Sequence, residues 1–411
     1  MLIRNVHIEN AAEPSDVRIE RGVFSEIAPL LLPADGEQVI DGEGNLLLPP
    51  FVEPHVHLDS CLTAGTPRWN ESGTLFEGIA IFSEYKPRLT PDDVKERAMR
   101  ALRMMASHGI QHVRGHVDVS DPHLTALEPL LEVRREVADF IDVQLVAFPQ
   151  EGILSFPDGE ALLRRAAEAG VDAVGGCPHI EHTRDMGAES VRILMDVACD
   201  YDLLVDVHCD EIDDPASRNL EVLAALALET GLAERVTASH TTAMGSYPDA
   251  YASKLIQLLV RAQLNIISNP LVNMHLGGRF DTYPKRRGLT RVKELAEAGV
   301  NVAFGEDDLQ DPWHPLGNGD MIDPVFMGVY AAHLTGYDQL QDSYRFVTHN
   351  AARALHLQDS YGIEVGKPGS CVIVAAPNFY EALRTHVPVT HSVRRGQLLA
   401  VTSPAKTKLL F

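Results

Sequence analysis

Two histidines lie one residue apart directly after an apolar run, in the segment PPFVEPHVHLDS from Pro49 to Ser60. Because alternate residues of a β-strand share a face, the side chains of His55 and His57 are expected to point the same way. Two neutral imidazoles side by side are suited to binding a metal ion, although two ligands do not make a complete site. The remaining ligands must come from other parts of the chain, which the fold has to bring close to this pair.

Apolar runs alternate with helical patterns after Pro50. The best-marked helix follows Thr90, a typical N-cap residue, and ends at Gly109. Further helices are predicted near residues 123–138, 158–169, 188–200, 216–230, 249–262 and 290–298. The segment NLLLPPFVEPHVHL is predicted to be the first strand, and seven more follow: IQHVRGHVDV, IDVQLVAFPQEG, VDAVGGCPH, LLVDVHCDE, RVTASH, LNIISNP and VNVAFGEDD.

Eight strands that alternate with helices are typical of a (β/α)8 barrel, or TIM barrel, in the α/β class. A doubly wound parallel sheet is the alternative, but no glycine-rich dinucleotide fingerprint follows the first strand. Both chain ends contain short alternating segments with turn residues, which are typical of strands. We therefore predict a barrel domain over residues 49–359 and a small β-sandwich-like domain formed by residues 1–48 and 360–411.

The chain is strongly acidic, with 35 lysines and arginines against 58 aspartates and glutamates and a net charge of −23. This charge repels phosphate backbones and anionic membrane surfaces, so we expect no nucleic-acid or membrane partner and a small neutral or cationic ligand instead. The five cysteines are scattered and odd in number, which argues against a disulfide framework. With no signal-peptide pattern and no apolar run long enough to span a bilayer, we expect a cytoplasmic protein.

Chemistry in a TIM barrel takes place at the carboxyl ends of the strands, and several predicted strands end there in polar residues. Besides the histidine pair on strand one, these are Gln150 on strand three, His208 and Glu211 on strand five, His240 on strand six and Asp307 on strand eight. Three imidazoles and one carboxylate suit a divalent transition metal that keeps one position for water. Such a metal makes hydroxide available near neutral pH. Glu211, on the loop after its strand, is placed to transfer protons without binding the metal.

Long stretches around these residues resemble the bacterial cytosine deaminases of the amidohydrolase superfamily and cover nearly the whole predicted barrel. The similar stretches are FVEPHVHLDS, GTLFEGI, HVRGHVDVSD, VAFPQEGILS, DVHCDEIDD, VTASHTTAM, NPLVNMHLGGRFDTYPKRRG and FGEDDLQDPWHPLG. The resemblance implies an amidohydrolase-type barrel and a hydrolytic deaminase that converts cytosine to uracil and ammonia through a metal-activated hydroxide. It also implies a small nucleobase substrate and a homo-oligomer, often a hexamer.

The resemblance gives the polar strand-end residues individual roles. One divalent metal ion, Fe2+ or Zn2+, would be bound by His55, His57, His208 and Asp307. His240 would contact the metal-bound water, and Asp307 would also accept a proton from that water. Glu211 would protonate the ring nitrogen and pass protons to the leaving ammonia.

The resemblance also implies how the substrate is bound. Gln150 would hydrogen-bond the pyrimidine carbonyl, and Trp313 would pack on the ring. Asp308 is expected to influence what fits near the far edge of the ring. The chain departs from the family pattern at Glu306, where related enzymes often have histidine. By strand alternation we expect the Glu306 side chain to point away from Asp307.

Other functions stay open for this sequence. The same chemistry applies to 5-methylcytosine, isoguanine and creatinine, each of which carries an amine or imine on a carbon next to a ring nitrogen. A binuclear cyclic-amide hydrolase would need a bridging lysine, and none occurs between Lys95 and Lys254, although Cys177 could bridge two metals. Cys61 and Cys177 are nevertheless expected to be small buried apolar residues. A non-catalytic assembly protein is disfavoured because every ligand and proton-transfer group is present.

Overall fold

The computed structural model describes residues 1–411 and contains two β-sheets. The central part of the chain forms an eight-stranded sheet, and strands from both chain ends form a seven-stranded sheet. The prediction of a TIM barrel accompanied by a small β structure from the two chain ends is therefore confirmed.

The strands fall into three groups along the chain. The first group is β1 (Leu2–Ile8), β2 (Ser15–Glu20), β3 (Val23–Ala28) and β4 (Val39–Leu48). The barrel strands are β5 (Phe51–His57), β6 (Ile110–Asp118), β7 (Asp142–Phe148), β8 (Ala173–Val174), β9 (Leu204–Cys209), β10 (Val236–His240), β11 (Asn265–Ser268) and β12 (Asn301–Phe304). The last group is β13 (Cys371–Val374), β14 (Val389–Arg394) and β15 (Gln397–Val401).

Helices connect the barrel strands and continue beyond them. They are α1 (Leu75–Tyr85), α2 (Pro91–Ser107), α3 (Leu127–Glu136), α4 (Gly159–Ala169), α5 (Arg184–Tyr201), α6 (Asn219–Thr230), α7 (Asp249–Ala262), α8 (Pro270–Leu276), α9 (Val292–Glu297), α10 (Ile322–Ala331), α11 (Tyr337–Asp342), α12 (His349–Ala354) and α13 (Phe379–Thr385). Short 3-10 helices occupy Lys86–Arg88, Ala233–Arg235, Thr242–Ser246 and Ser343–Val347. Helix α2 begins as predicted, because Asp93 N donates to Thr90 Oγ1 at 3.2 Å. None of the helices combines the length and apolar character needed to cross a bilayer.

The barrel strands follow one another in chain order, and neighbours are parallel. The sheet closes where His57 N donates to Asp307 O and Asp307 N donates to His55 O, both at 2.9 Å. Closure joins the first strand to the segment that follows the last one. It takes place at the carboxyl ends of the strands, where the predicted metal ligands lie.

The smaller sheet joins the two ends of the chain. Strands β1 and β4 pair in parallel, and β13 pairs with β4 in the antiparallel direction. Buried side chains such as Ile3, Phe24 and Leu47 form a core of their own on this sheet. This sheet therefore has a hydrophobic core separate from the large one that surrounds the barrel.

The structure differs from the predicted elements in two of the barrel strands and in several helices. The first predicted strand is divided at Pro49 and Pro50 into β4, which belongs to the smaller sheet, and β5. The fourth barrel strand has only two residues, because Gly175 and Gly176 follow it and glycine weakens strands. Helices α1, α8 and α10 to α13 have no counterpart among the predicted helices, and two residues of α1 border the candidate site described below.

Candidate active site

Four predicted metal ligands meet at the carboxyl end of the barrel. Ring nitrogens of the three histidines and a carboxylate oxygen of Asp307 all lie within 4.8 Å of one another, and all four residues are buried. His208 Nε2 lies 3.2 Å from His55 Nε2 and 3.0 Å from His57 Nε2. Asp307 Oδ1 lies 3.2 Å from His55 Nε2 and 3.5 Å from His57 Nε2. These four atoms therefore surround one point.

This arrangement fits a metal ion better than it fits hydrogen bonds among the four residues. Ligands about 2.0–2.1 Å from a tetrahedral metal lie about 3.4 Å apart, close to the separations between these atoms. Asp307 Oδ1 is buried without a hydrogen-bond partner, and buried polar atoms are rarely left unpaired. Imidazole and carboxylate are also ligands that zinc and iron accept. The cluster is thus a His/Asp metal-binding site.

The backbone positions these ligands in two ways. His55 and His57 alternate on β5 and share one face of the strand, while His208 comes from β9. Asp307 follows β12 and has a left-handed backbone with φ of 74°, and His240 at the end of β10 has φ of 67°. Positive φ is uncommon for residues other than glycine, and aspartate and histidine are among the residues that adopt it most readily. The closure hydrogen bonds of Asp307 hold it in this conformation.

A chain of hydrogen bonds orients His55 from the side opposite the cluster. His55 Nδ1 lies 2.9 Å from Ser239 Oγ, and Ser239 Oγ donates to Asp206 Oδ1 at 2.6 Å. Because the hydroxyl gives its only proton to Asp206, it accepts a proton from His55 Nδ1, and Nε2 is left free as a ligand. Arg114 Nη1 donates to the other Asp206 oxygen at 3.0 Å. Partners of this kind fix the tautomer and orientation of a metal-binding histidine.

Two groups suited to proton transfer adjoin the cluster. His240 Nδ1 lies 3.2 Å from Glu211 Oε1, 3.6 Å from Asp307 Oδ2 and 3.0 Å from Asn273 Nδ2. Burial raises the pKa of Glu211 well above its ordinary value, and the nearby Asp307 raises it further. A carboxyl group with a raised pKa can hold and release a proton near neutral pH, as general acid–base chemistry requires.

A small cavity opens beside the cluster. The three residues predicted to bind the substrate, Gln150, Trp313 and Asp308, all border it. Its apolar lining consists of Leu75, Ile79, Phe148, Cys177, Leu276 and the indole ring. The Trp313 ring is stacked 6.4 Å from the His57 ring, measured between centroids. A small flat molecule would therefore meet apolar walls and a few polar groups at its edge.

All residues predicted to bind metal, transfer protons or bind the substrate therefore lie together at one end of the barrel. Three other residues noted in the sequence lie outside the ligand cluster. Glu306 accepts hydrogen bonds from two backbone N–H groups, and burial raises its pKa to about 8. Cys61 is buried and donates to a backbone carbonyl, while Cys177 Sγ lies 3.6 Å from a ring nitrogen of His179. None of the three contributes to the cluster of ligand atoms.

Sequence reasoning missed two residues of this region, His116 and Asn273. His116 is fully buried on β6, its ring centroid is 4.0 Å from that of His55, and neither of its ring nitrogens has a partner. Strand alternation could have found it, because it shares a face of β6 with the buried Arg114. Asn273 lies on α8 and contacts His240 from there. Because Asn273 does not end a predicted strand, no comparable signal in the sequence indicates it.

The chain matches the model of the Amidohydrolase family over residues 38–400. Among solved structures, the 5-methylcytosine deaminase from Klebsiella pneumoniae, liganded with 5-fluorocytosine, is similar with a TM-score of 0.97 and 50% sequence identity. The similarity covers 100% of this chain and 99% of that one. Both the barrel and the smaller sheet are therefore shared with this structure.

Two curated relatives are more distant. The N-isopropylammelide isopropyl amidohydrolase of Pseudomonas sp. (strain ADP) is 29% identical, over 91% of this chain and 90% of its own length. The pterin deaminase of Rhizobium rhizogenes (strain K84 / ATCC BAA-868) is also 29% identical, over 95% of this chain and 89% of its own length. Proteins with this similarity are named for different substrates, so the family alone leaves the substrate open.

Proposed function

Because the chain belongs to the amidohydrolase family and is a hydrolase of carbon–nitrogen bonds, we propose that it releases the exocyclic amine of cytosine and 5-methylcytosine as ammonia. The observation that carries this proposal is the 50% identity, along the whole chain, to a 5-methylcytosine deaminase. The metal-binding cluster, the adjacent acid–base groups and the small apolar cavity support it.

The metal in this proposal is a single divalent ion, Fe2+ or Zn2+. Its ligands would be His55, His57, His208 and Asp307. When bound, the ion would act as a Lewis acid that lowers the pKa of a water molecule. The protein prepares the site in advance, since Ser239 and Asp206 keep the proton of His55 on Nδ1 and so leave Nε2 available.

Proton transfer would be carried out by groups of this chain. Hydrolysis adds a hydroxyl to the ring carbon that bears the amine, moves one proton to the ring nitrogen and a second to the departing amine. Glu211, held at the cavity with a raised pKa, would deliver these protons. His240 and the Asp307 carboxylate would hydrogen-bond the attacking water, and Asp307 would accept its proton. Asn273 would keep the His240 ring in place.

Substrate orientation would depend on groups at the cavity wall. The Gln150 side chain would donate a hydrogen bond to the ring carbonyl, and the Trp313 indole would pack on the ring face. A bound pyrimidine would thereby have its amine-bearing carbon turned towards the metal cluster.

The binuclear alternative finds less support in this site. A bridging lysine is lacking between Lys95 and Lys254. Cys177, the other possible bridge, lies next to His179 and does not belong to the ligand cluster. Burial also raises the pKa of the Cys177 thiol well above its ordinary value, and the nearby Glu211 raises it further, which disfavours the thiolate that a metal would require.

The proposal is tested by measuring ammonia release from cytosine, 5-methylcytosine, isoguanine and creatinine by protein loaded with Fe2+ or Zn2+. We expect turnover of cytosine and 5-methylcytosine, with uracil and thymine as products by chromatography, and about one metal ion per chain. The variant His208→Ala is the control, since it should lose both metal and turnover.

Two outcomes would contradict the proposal. Protein that binds one metal but releases ammonia from none of the four compounds would show that the substrate class is wrong. Metal content of about two ions per chain would favour the binuclear alternative instead.

The homo-oligomer and the cytoplasmic location expected from the sequence stay predictions. Light scattering of the purified protein would test the oligomeric state.

A further inference from the structure

Helix α1 forms one wall of the catalytic cavity and is packed tightly against Trp313. Leu75 and Ile79 on this helix line the cavity. Trp313 Nε1 donates to Leu75 O at 3.2 Å. Gly78 faces the indole so closely that a Cβ atom at this position would overlap Trp313 Nε1. The helix and the indole therefore make a continuous surface, and any shift of α1 changes the shape of the cavity.

Lys86 follows α1 immediately and connects it to the barrel. Its ammonium group lies 2.7 Å from Asp118 Oδ2, forms an ion pair with Glu151, and donates to Ser120 O at 3.2 Å. Only 13% of the lysine side chain is exposed. Asp118 is the last residue of β6, and Glu151 lies in the loop after β7. One ammonium group thus binds acceptors at or just after the carboxyl ends of two neighbouring barrel strands, β6 and β7.

The residues that bind Lys86 also hold the backbone at Gln150, through other atoms. Asp118 Oδ1 accepts from Ser120 N at 2.7 Å and from Gln150 N at 3.4 Å. Ser120 Oγ accepts from Glu151 N at 2.9 Å. The segment that carries the amide of Gln150 into the cavity is therefore bonded to the residues that Lys86 joins to α1.

The charges in this group of residues favour a fixed arrangement. Burial alone would lower the pKa of Lys86, but Asp118 and Glu151 outweigh it and keep the pKa above its ordinary value. The lysine is therefore charged, and it compensates two carboxylates, of which Asp118 is buried. Removing the ammonium would leave Asp118 without an ion-pair partner in a buried position, which is costly. The loops would have to move to let water reach it.

We propose that Lys86 is a positioning residue, which fixes the wall formed by α1 and Trp313 relative to the amide of Gln150. It lies outside both the cavity lining and the cluster of ligand atoms, and acts by keeping two sides of the cavity at a constant separation. The consequence for turnover rests on the proposed deaminase function. The structural link between α1 and the loops after β6 and β7 does not depend on that function.

The test compares the variants Lys86→Met and Lys86→Arg with Lys95→Met. Methionine keeps the aliphatic stem without the charge, and arginine keeps the charge. Lys95 is the matched control, since it forms ion pairs with Glu132 and Glu136 on the outside of the barrel, away from the cavity. For each purified protein we would measure kcat and KM for cytosine and 5-methylcytosine, metal content, and hydrogen exchange of peptides covering residues 75–88 and 149–153.

For Lys86→Met we expect kcat/KM to fall about 10- to 100-fold, mainly through a higher KM, because small displacements of a substrate-binding group have effects of this size. Metal content should stay unchanged, and hydrogen exchange should be faster in both peptides. Lys86→Arg should recover most of the loss, and Lys95→Met should behave like the unmodified protein. A KM within about twofold of the unmodified value for Lys86→Met would overturn the proposal.

Hydrogen exchange separates this proposal from the proposed function. If the unmodified protein deaminates none of the tested compounds, the function is wrong, and the exchange data alone decide the role of Lys86. Faster exchange of residues 75–88 and 149–153 in Lys86→Met, but not in Lys86→Arg, would support the link. Unchanged exchange in these peptides, or an equal increase over the whole chain, would overturn it.

Discussion

Two layers of buried polar residues in the barrel differ in how completely they are paired. In the upper layer, at the carboxyl ends of the strands, Asp307 Oδ1 and both ring nitrogens of His116 have no hydrogen-bond partner. In the lower layer, Arg114 lies two residues earlier on the same face of β6 and is fully buried. Its guanidinium nitrogens donate to Gln144 Oε1, Asp206 Oδ2, Thr237 Oγ1 and Ala354 O at 2.8–3.4 Å.

The difference separates a binding site from a structural polar network. Buried polar atoms are nearly always paired, so a paired group such as that around Arg114 needs no further partner. The ligand cluster has convergent lone pairs and an unpaired carboxylate oxygen, and a bound cation would supply the missing interaction. Yet the two layers are connected, since Asp206 binds Arg114 on one side and, through Ser239, His55 on the other.

The largest effect is expected in the upper layer, for Glu211→Gln. The amide cannot donate an acidic proton, so turnover of cytosine and 5-methylcytosine should fall about 100- to 10,000-fold. Metal content and the midpoint of thermal unfolding should stay close to those of the unmodified protein, because Glu211 lies outside the cluster of His55, His57, His208 and Asp307. Metal analysis, calorimetry and an ammonia assay on the same sample would measure this.

The matched control for Glu211→Gln is Glu189→Gln, which makes the same chemical change on an exposed side chain of α5. Turnover of this variant should be unchanged. Normal turnover of Glu211→Gln would show that protons reach the substrate by another group. Loss of metal from Glu211→Gln would place Glu211 among the ligands and contradict the role given to it here.

The second-largest effect is expected in the lower layer, as a lower free energy of unfolding. Arg114→Met removes the partner of the buried Asp206, and breaking a buried ion pair in this way costs about 3–5 kcal/mol. The midpoint of thermal unfolding of metal-free protein should therefore drop strongly. Arg135→Met, which removes an exposed pair with Glu128, should change stability by less than about 1 kcal/mol. Equal midpoints for the two variants would mean that pairing in the lower layer contributes little.

Much of this fold and site could be predicted from the sequence, for physical reasons that the two layers make clear. Strand alternation and strand ends placed His55, His57, His208, His240 and Asp307 at one rim, because a barrel brings the carboxyl ends of its strands together. The resemblance to known deaminases then separated the metal ligands from His240. The resemblance to known deaminases added Trp313, which no strand pattern marks. What was missed depends on packing across long sequence distances.

Lys86 is an example of what the sequence alone does not indicate. It lies in the segment EYKPR, which has the composition of an ordinary exposed turn, and its acceptors are about 30 and 65 residues away in the chain. Gly78 is similar, since only the approach of Trp313 explains the lack of a side chain there. Such residues are defined by tertiary contacts, so periodicity cannot reveal them.

The smallest effect is expected at the edge of the upper layer, for Asp308→Ala. Asp308 is buried at the cavity, and Oδ1 has no hydrogen-bond partner. Burial raises the pKa of this carboxyl well above its ordinary value, and Asp311 and Asp307 raise it further.

A ring substituent placed against the Asp308 carboxyl must exclude water from a polar group, which is unfavourable. Alanine removes this cost and adds room, so the ratio of kcat/KM for 5-methylcytosine over cytosine should rise. The increase should correspond to a difference in activation free energy of about 1–3 kcal/mol at most. Asp308→Asn keeps the size of the side chain and separates the effect of volume from that of the acid. If neither variant changes the ratio, the unpaired oxygen at Asp308 does not influence substrate choice, and lack of pairing in the upper layer matters only at the metal ligands.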